Sequence, residues 1–282
     1  MNLTNIHNLP DAFVSAVRND PYVGGGDISV TKLIDSPQRR FLLNKFRESI
    51  VEDASEKLWV LLGQAVHTVL ERANTSSLVE KRLFMHVNGW KLSGQFDRLH
   101  LESETLCDYK LTTVFKSEAS IEWERQLNVL RLLVVENGYK VSKLEVFAMY
   151  RDWRRAEQLR DPNYPVISTK KIEIPMWTLE ETRNYVQERI ELHQRASRGE
   201  DVLCSDEERW YAGTTFALIK DGGKRAKRVA QTKEELGDVP DGYVIEERKG
   251  GYRRCESFCE VANFCNQKGS ESNANISNRN TD

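Results

Sequence analysis

Asp97, Asp108 and Lys110 are the residues around which chemistry can be built. They lie in Gly94–Lys110, GQFDRLHLESETLCDYK, which reads as two strands joined by a tight turn. Residues two apart on a strand point the same way, so Asp108 and Lys110 share a face with Leu106. The polar run Glu102-Ser103-Glu104 supplies the turn. Pairing about Ser103–Glu104 sets Asp97 opposite Lys110 and diagonal to Asp108, within reach of one small ion. Two carboxylates and an ammonium converging on a sheet face suit divalent-metal cleavage of a phosphodiester. The acids hold a hard cation, the cation polarises the phosphoryl group and acidifies a water, and the ammonium orients that water or offsets developing charge.

D-x-K alone also describes a solvated strand face with alternating charges, so the surroundings matter. Gly94 precedes Asp97, a hairpin precedes both, and His67 lies upstream in GQAVHTVLE. His67 sits at the edge of an apolar helical face, one turn from Gly63 and Glu71. The bland reading is a half-buried histidine with one hydrogen bond. With the acid pair downstream, the expectation is a metal ligand, and imidazole shifts preference toward manganese relative to an all-oxygen shell. Gly63, costly in mid-helix, is expected to admit the sheet closely. Gln126, in WERQLNVLRLLVV, is read either as a surface glutamine or as a contact to the lysine or the substrate backbone.

The elements that must position these groups follow from periodicity and breakers. Residues 10–19 read as a short helix, 29–46 as a helix interrupted near Pro37, and 52–74 as a longer helix. The apolar face of that longer helix carries Trp59, Leu62, Val66, Val69, Leu70 and Ala73. Leu78–Val87 alternates like a strand, Asn88-Gly89 signals a hairpin, and Trp90–Leu101 returns. Thr105–Thr112 is a third strand, Glu118–Glu136 a helix ending at Gly138, and Lys143–Tyr150 a fourth strand. Val166–Ile174 and Leu179–Arg198 read as a strand and a long amphipathic helix. This order predicts an α/β core with a mixed sheet.

Together the residues resemble the PD-(D/E)XK nuclease superfamily in its RecB-like exonuclease branch. The match is G-x-x-x-H at Gly63 and His67, G-x-x-D at Gly94 and Asp97, D-x-K at Asp108 and Lys110, and the glutamine of Q-x-x-x-Y at Gln126, over roughly residues 29–150. The resemblance implies a restriction-endonuclease-like αβββαβ core and DNA hydrolysis. It further implies Mg²⁺ or Mn²⁺ held by His67, Asp97 and Asp108, with the Tyr109 carbonyl as a further ligand. Leu130 stands where the tyrosine of the last motif would be. Ser36 stands where iron–sulfur members of the branch often place an N-terminal cysteine.

Cys255, Cys259 and Cys265 form C-x3-C-x5-C, and Cys204 is the candidate fourth thiolate. Cys107, in the third strand, faces away from Asp108 and reads as a small buried hydrophobe. The remote-plus-triplet pattern resembles the C-terminal iron–sulfur staple of RecB-like nucleases, although the usual triplet is one residue tighter. A [4Fe–4S] cluster is the first reading and tetrahedral Zn²⁺ the alternative, either one clamping the C-terminal segment.

IKDGGKRAKRV reads as a hairpin carrying Lys220, Lys224, Arg225, Lys227 and Arg228. Such a run is either solvated surface or a surface that tracks phosphates toward the active site. Arg39 and Arg40 are expected to contribute to DNA binding as an opposite wall. Arg151, Arg154 and Arg155 around Trp153 are a second version of that wall, with Trp153 as stacking platform or as core.

A net charge of −2 carries no global polyanion signal, so any nucleic-acid surface must be local. The 282 residues, 39% hydrophobic and 30% charged, suit one large domain with a small appendage. The expected organisation is a nuclease domain with N-terminal helices over 1–200, a small α+β cysteine module over 201–266 and a disordered tail over 267–282. No run approaches membrane-spanning length and the first residues lack signal-peptide character, so cytoplasm is expected, host cytoplasm if the chain is phage-encoded. Neither Gly24-Gly25-Gly26 nor Asp221-Gly222-Gly223-Lys224 completes a phosphate loop, so the chain carries no motor of its own. The expectation is a metal-dependent DNA exonuclease of recombination, repair or replication, with a helicase, recombinase or single-strand-binding protein as separate partner. The alternatives are a nuclease fold that binds without cutting, and an enzyme acting on RNA or branched DNA.

Overall fold

The computed structural model describes residues 2–19, 24–73 and 76–268. Its strands are β1 (Asn2–Thr4), β2 (Ile28–Ser29), β3 (Val51–Asp53), β4 (Ser77–Val87), β5 (Trp90–His100), β6 (Thr105–Thr112), β7 (Lys143–Tyr150), β8 (Thr169–Ile174), β9 (Thr215–Lys220), β10 (Ala226–Ala230) and β11 (Tyr243–Arg248). Its α-helices are α1 (Asp11–Arg18), α2 (Val30–Ile34), α3 (Pro37–Lys45), α4 (Leu58–Glu71), α5 (Ile121–Glu136), α6 (Arg155–Gln158), α7 (Leu179–Ser197) and α8 (Arg253–Ser257). The chain forms two compact units, residues 1–37 with 47–200 and residues 38–46 with 201–282.

Local chemistry accounts for the main elements of the first unit. The β4–β5 hairpin turns at Asn88 and Gly89, both at positive φ (48° and 78°), the geometry a two-residue turn demands. The Ser120 side chain accepts the Trp123 N–H at the start of α5, and Gly138 at φ 88° follows its end. At α7 a reciprocal capping box links Thr178 and Glu181. The largest departure from the sequence reading is at 51–53. These residues open no helix but pair as β3, parallel to β1.

The six-stranded sheet is mixed: β4, β5 and β6 run antiparallel, β6 and β7 parallel with α5 as the crossover, and β7 and β8 antiparallel. This is an α/β fold. Leu127, Leu130 and Leu133 of α5 pack with Leu92, Phe96 and Leu99 of β5 in one buried core, each side chain contributing about 1.5–3 kcal/mol. Because β4 pairs with β5 along its whole length, β2 and β6 must share the other edge. There β2 takes Leu92 and Ser93, and β6 takes Arg98 to His100. Among the described residues, 94–97 have no strand partner on that edge.

In the second unit β10, β9 and β11 form an antiparallel three-stranded sheet over Leu218, Ala230 and Leu236. Phe46 stacks on Phe264 at 4.4 Å, and Arg39 makes a bidentate pair with Glu260 at 2.6 and 2.7 Å. These contacts draw 38–46 out of the 1–200 domain expected for it. Most of the expected tail lies outside the described residues. Gln267 does not: its side chain accepts from the Cys204 N–H and donates to the Cys204 carbonyl, both at 2.9 Å.

Candidate active site

The unpaired stretch of β5 is where the site forms. Asp97 ends it, and its Oδ2 accepts the Tyr109 N–H at 2.6 Å, doing for β6 what a strand carbonyl would otherwise do. The turn before β6 occupies 101–104, with Glu104 in the left-handed region at φ 49°, so His100 pairs with Thr105. Continued by one position, that register sets Asp97 abreast of Asp108. The expected pairing of Asp97 with Lys110 is therefore off by two residues, because the turn centres on Glu102–Ser103, one residue before the expected centre at Ser103–Glu104. The Tyr109 group that meets Asp97 is its N–H and not its carbonyl.

Two linked groups of side chains result. In the first, His67 Nδ1 lies 3.4 Å from Asp97 and 3.5 Å from Glu80. Ligand atoms of His67, Glu80 and Asp97 all lie within 4.8 Å of one another. Hydrogen bonding to Asp97, then to Glu80, raises the imidazole pKa to about 10, against the cost of burial. The imidazole thus holds a proton where a cation would fit, and one nitrogen with two carboxylates is a donor set for Mn²⁺ or Mg²⁺.

In the second group Lys110 Nζ contacts Asp108 Oδ2 at 2.8 Å and donates to Gln126 Oε1 at 3.0 Å. The Gln126 amide donates to Asp108 Oδ1 at 3.2 Å. Burial pushes the Asp108 pKa up to about 6; Lys110 opposes that shift and the Asp97 charge adds to it. Burial also works against the Lys110 ammonium, but Asp108 outweighs it, and its pKa rises. Both groups line a cleft of about 860 Å³ between α4, β4–β6 and α5.

Supporting residues explain parts of the motif pattern. Arg98, 3% exposed, donates to the Tyr109 hydroxyl at 2.8 Å and to the Leu70 carbonyl at 2.7 Å, tying the end of α4, and with it His67, to β5. A Cβ on Gly94 would come within 2.5 Å of Leu133 and 2.7 Å of Leu130, so the bare backbone lets α5 approach. Leu130, one turn after Gln126, is buried in that contact. Gly63 has nothing within 4 Å of its would-be Cβ. The close approach expected there is absent, and Gly63 instead lines the cleft. Cys107 is buried, and burial raises its thiol pKa to about 12, as suits a packing residue.

Glu80 was not singled out in the sequence, because EKR in a strand looks like ordinary alternation. Its backbone takes φ 46°, which no side-chain pattern marks. The Asn88-Gly89 turn did carry the signal. With Val87 paired to Trp90, counting back along both strands brings residue 80 opposite 97.

The remaining candidates lie elsewhere. Lys220, Lys224, Arg225, Lys227 and Arg228 are exposed along β9, its turn and β10 in the second unit. Arg40 is half-buried on α3 beside Arg39, whose guanidinium is taken up by Glu260. Trp153 is half-buried: its indole N–H donates to the Pro165 carbonyl at 2.8 Å and its ring packs against the buried cluster. Cys204, Cys255, Cys259 and Cys265 are half-buried cysteines of the second unit, none of them in a disulfide. Burial raises the Cys259 pKa, against the Val261 backbone hydrogen bond and the Arg39 charge.

No protein-family model matches the sequence, and no curated protein does. Among solved structures, SSO0001 aligns with TM-score 0.46 and 16% identity over 71% of this chain and 87% of that one. A protein from Eubacterium rectale described as a "Putative exonuclease" aligns with TM-score 0.33 and 12% identity, over 80% of this chain and 85% of that one. No helix among the described residues is long and apolar enough to cross a membrane.

Proposed function

We propose that the chain is a metal-dependent DNA exonuclease of the PD-(D/E)XK superfamily, RecB-like branch, with a restriction-endonuclease-like core. The observation that carries the reading is the meeting of two groups at one break in strand pairing. An imidazole with two carboxylates sits beside a buried carboxylate whose lysine is held by a glutamine. His67, Glu80, Asp97 and Asp108 would hold Mg²⁺ or Mn²⁺. The ion, when bound, supplies the charge that polarises the phosphodiester and acidifies a water.

The chain's own residues do the rest. Lys110 offers an ammonium, held charged by Asp108, to a phosphoryl oxygen or to the attacking water. Gln126 fixes that ammonium by accepting a hydrogen bond from it. Asp97 anchors the site to the sheet through the Tyr109 N–H. The exposed lysines and arginines of the β9–β10 hairpin track DNA phosphates without reading sequence. In the second unit Cys204, Cys255, Cys259 and Cys265 would hold a [4Fe–4S] cluster, with zinc as the other metal that four thiolates suit. The reciprocal bonds of Gln267 with the Cys204 backbone support this by holding Cys204 next to the segment that carries Cys265.

End-labelled single- and double-stranded DNA and RNA, incubated with Mg²⁺, Mn²⁺ or EDTA, test the reading. Metal-dependent shortening is expected, reduced to background in Asp108→Asn. Glu80→Gln should raise the metal concentration for half-maximal activity, because it removes one anionic oxygen ligand. Full activity in EDTA, or in Asp108→Asn after contaminant controls, would refute it.

A further inference from the structure

Helix α4 presents apolar side chains to solvent where a globular helix would bury them. Trp59 is 49% exposed, Val60 54% and Val69 65%. The Arg151 guanidinium lies 4.0 Å from the centroid of the Trp59 ring. Arg151 follows directly on β7, and its backbone N–H is held by the Thr112 carbonyl at 2.9 Å. Among the described residues no carboxylate pairs with its side chain. Trp59, Leu62, Val66, Leu111 and Arg151 wall an apolar pocket of about 500 Å³. Trp59 also lines the acid-bearing cleft, so the two spaces share a wall.

An exposed apolar patch continuous with a cleft marks a binding surface. The chemistry of this one narrows the occupant. An indole with a guanidinium 4.0 Å from its ring centroid offers an aromatic face to an unpaired base and a positive charge to its phosphate. In a duplex the base faces are covered by their neighbours, and a ring at the cleft wall would find nothing to stack on.

We propose that Trp59 and Arg151 form a stacking clamp that receives an unpaired base of a single-stranded nucleic acid and directs its backbone into the cleft at Lys110. This rests on the nuclease reading for the fate of the strand, but the binding it asserts does not need catalysis. The clamp makes the enzyme one for single strands or frayed ends, and leaves sugar identity to other contacts.

Binding of fluorescent oligo-dT, oligo-rU and a blunt duplex, measured by anisotropy in EDTA, separates the possibilities. Wild type should prefer at least one single strand over the duplex. Trp59→Ala should weaken single-strand binding by roughly 5- to 150-fold, the range for one base stacked on an aromatic ring. Trp59→Phe should restore most of it, and Arg151→Ala should both weaken binding and flatten its salt dependence. Tight binding to oligo-dT alone, oligo-rU alone, or both would name the sugar, and each supports the clamp. Unchanged affinity in Trp59→Ala, equal loss on the duplex, or loss of a wild-type self-association in its place would overturn it. A wild type that binds single strands but never cuts sinks the nuclease reading and leaves the clamp. One that cuts while Trp59→Ala binds normally sinks only the clamp.

Discussion

Gln126 touches both members of the buried pair. Its carboxamide oxygen accepts from Lys110 while its amide donates to Asp108, so neither lysine nor aspartate is free to swing. In the proposed reaction that makes Gln126 a positioning residue. Gln126→Ala should lower turnover by up to about 100-fold, the cost of a small misplacement of a reacting group. The metal concentration for half-maximal activity should stay unchanged, and steady-state kinetics across a metal titration would show the split. Asp97, Asp108, Lys110, His67 and Gln126 stand out in the sequence by type and spacing, and the fold brings all five to one cleft. Leu130 in place of tyrosine left the role of Gln126 open in the sequence, yet position 130 simply fills the space that Gly94 vacates. Glu80 was legible only to someone who trusted the Asn-Gly turn enough to count register through it.

At the scale of elements, two glycines with similar sequence signals do opposite things. Gly94→Ala would press a methyl into Leu130 and Leu133 and should cost about 1–3 kcal/mol by overpacking. Gly63→Ala meets open space on a helix and should gain about 0.5–1 kcal/mol while narrowing the cleft floor. Chemical denaturation of the two variants would show the opposite signs. A strand that sequence reading took for helix supplies a further test. Asp53 accepts from the Ile6 N–H at 2.9 Å, the Ser55 hydroxyl at 2.7 Å and N–H at 3.0 Å, and the Thr4 hydroxyl at 2.9 Å. These donors, the Ile6 N–H first, hold its carboxyl well below the usual carboxylate range. A depressed folded pKa gives stability above the unfolded value, near 3.9, that is lost as pH falls. Asp53→Asn should therefore melt a few degrees lower than wild type at pH 5–7, and the gap should shrink below about pH 4. The parallel pairing of β1 with β3 that Asp53 secures joins residues nearly fifty apart, which no local pattern could reveal.

At the scale of the whole molecule, the change of texture near residue 202 was visible in the sequence and coincides with the boundary at 200. The membership of 38–46 was not. That segment continues the N-terminal helices in sequence, yet it belongs to the second unit, where Phe46 stacks on Phe264 and Arg39 pairs with Glu260. Sequence reading placed Arg39 on a DNA-facing wall because a bare guanidinium is what a sequence displays; its acidic partner is 221 positions away. For the cysteines, replacing Cys204, Cys255, Cys259 or Cys265 singly with serine should lower bound metal and soluble yield together, whereas Cys107→Ser should leave metal content unchanged. Elemental analysis with visible absorbance checks both, and separates iron from zinc.

Asp97 has its two oxygens on different errands. Oδ2 replaces a missing main-chain acceptor, while Oδ1 looks toward the imidazole. An alanine there would remove strut and ligand at once, and any loss of cutting could be blamed on a slackened seam between β5 and β6. Asparagine keeps a carbonyl oxygen for the Tyr109 amide and discards only the charge, so it is the replacement that can tell architecture from reactivity at this position.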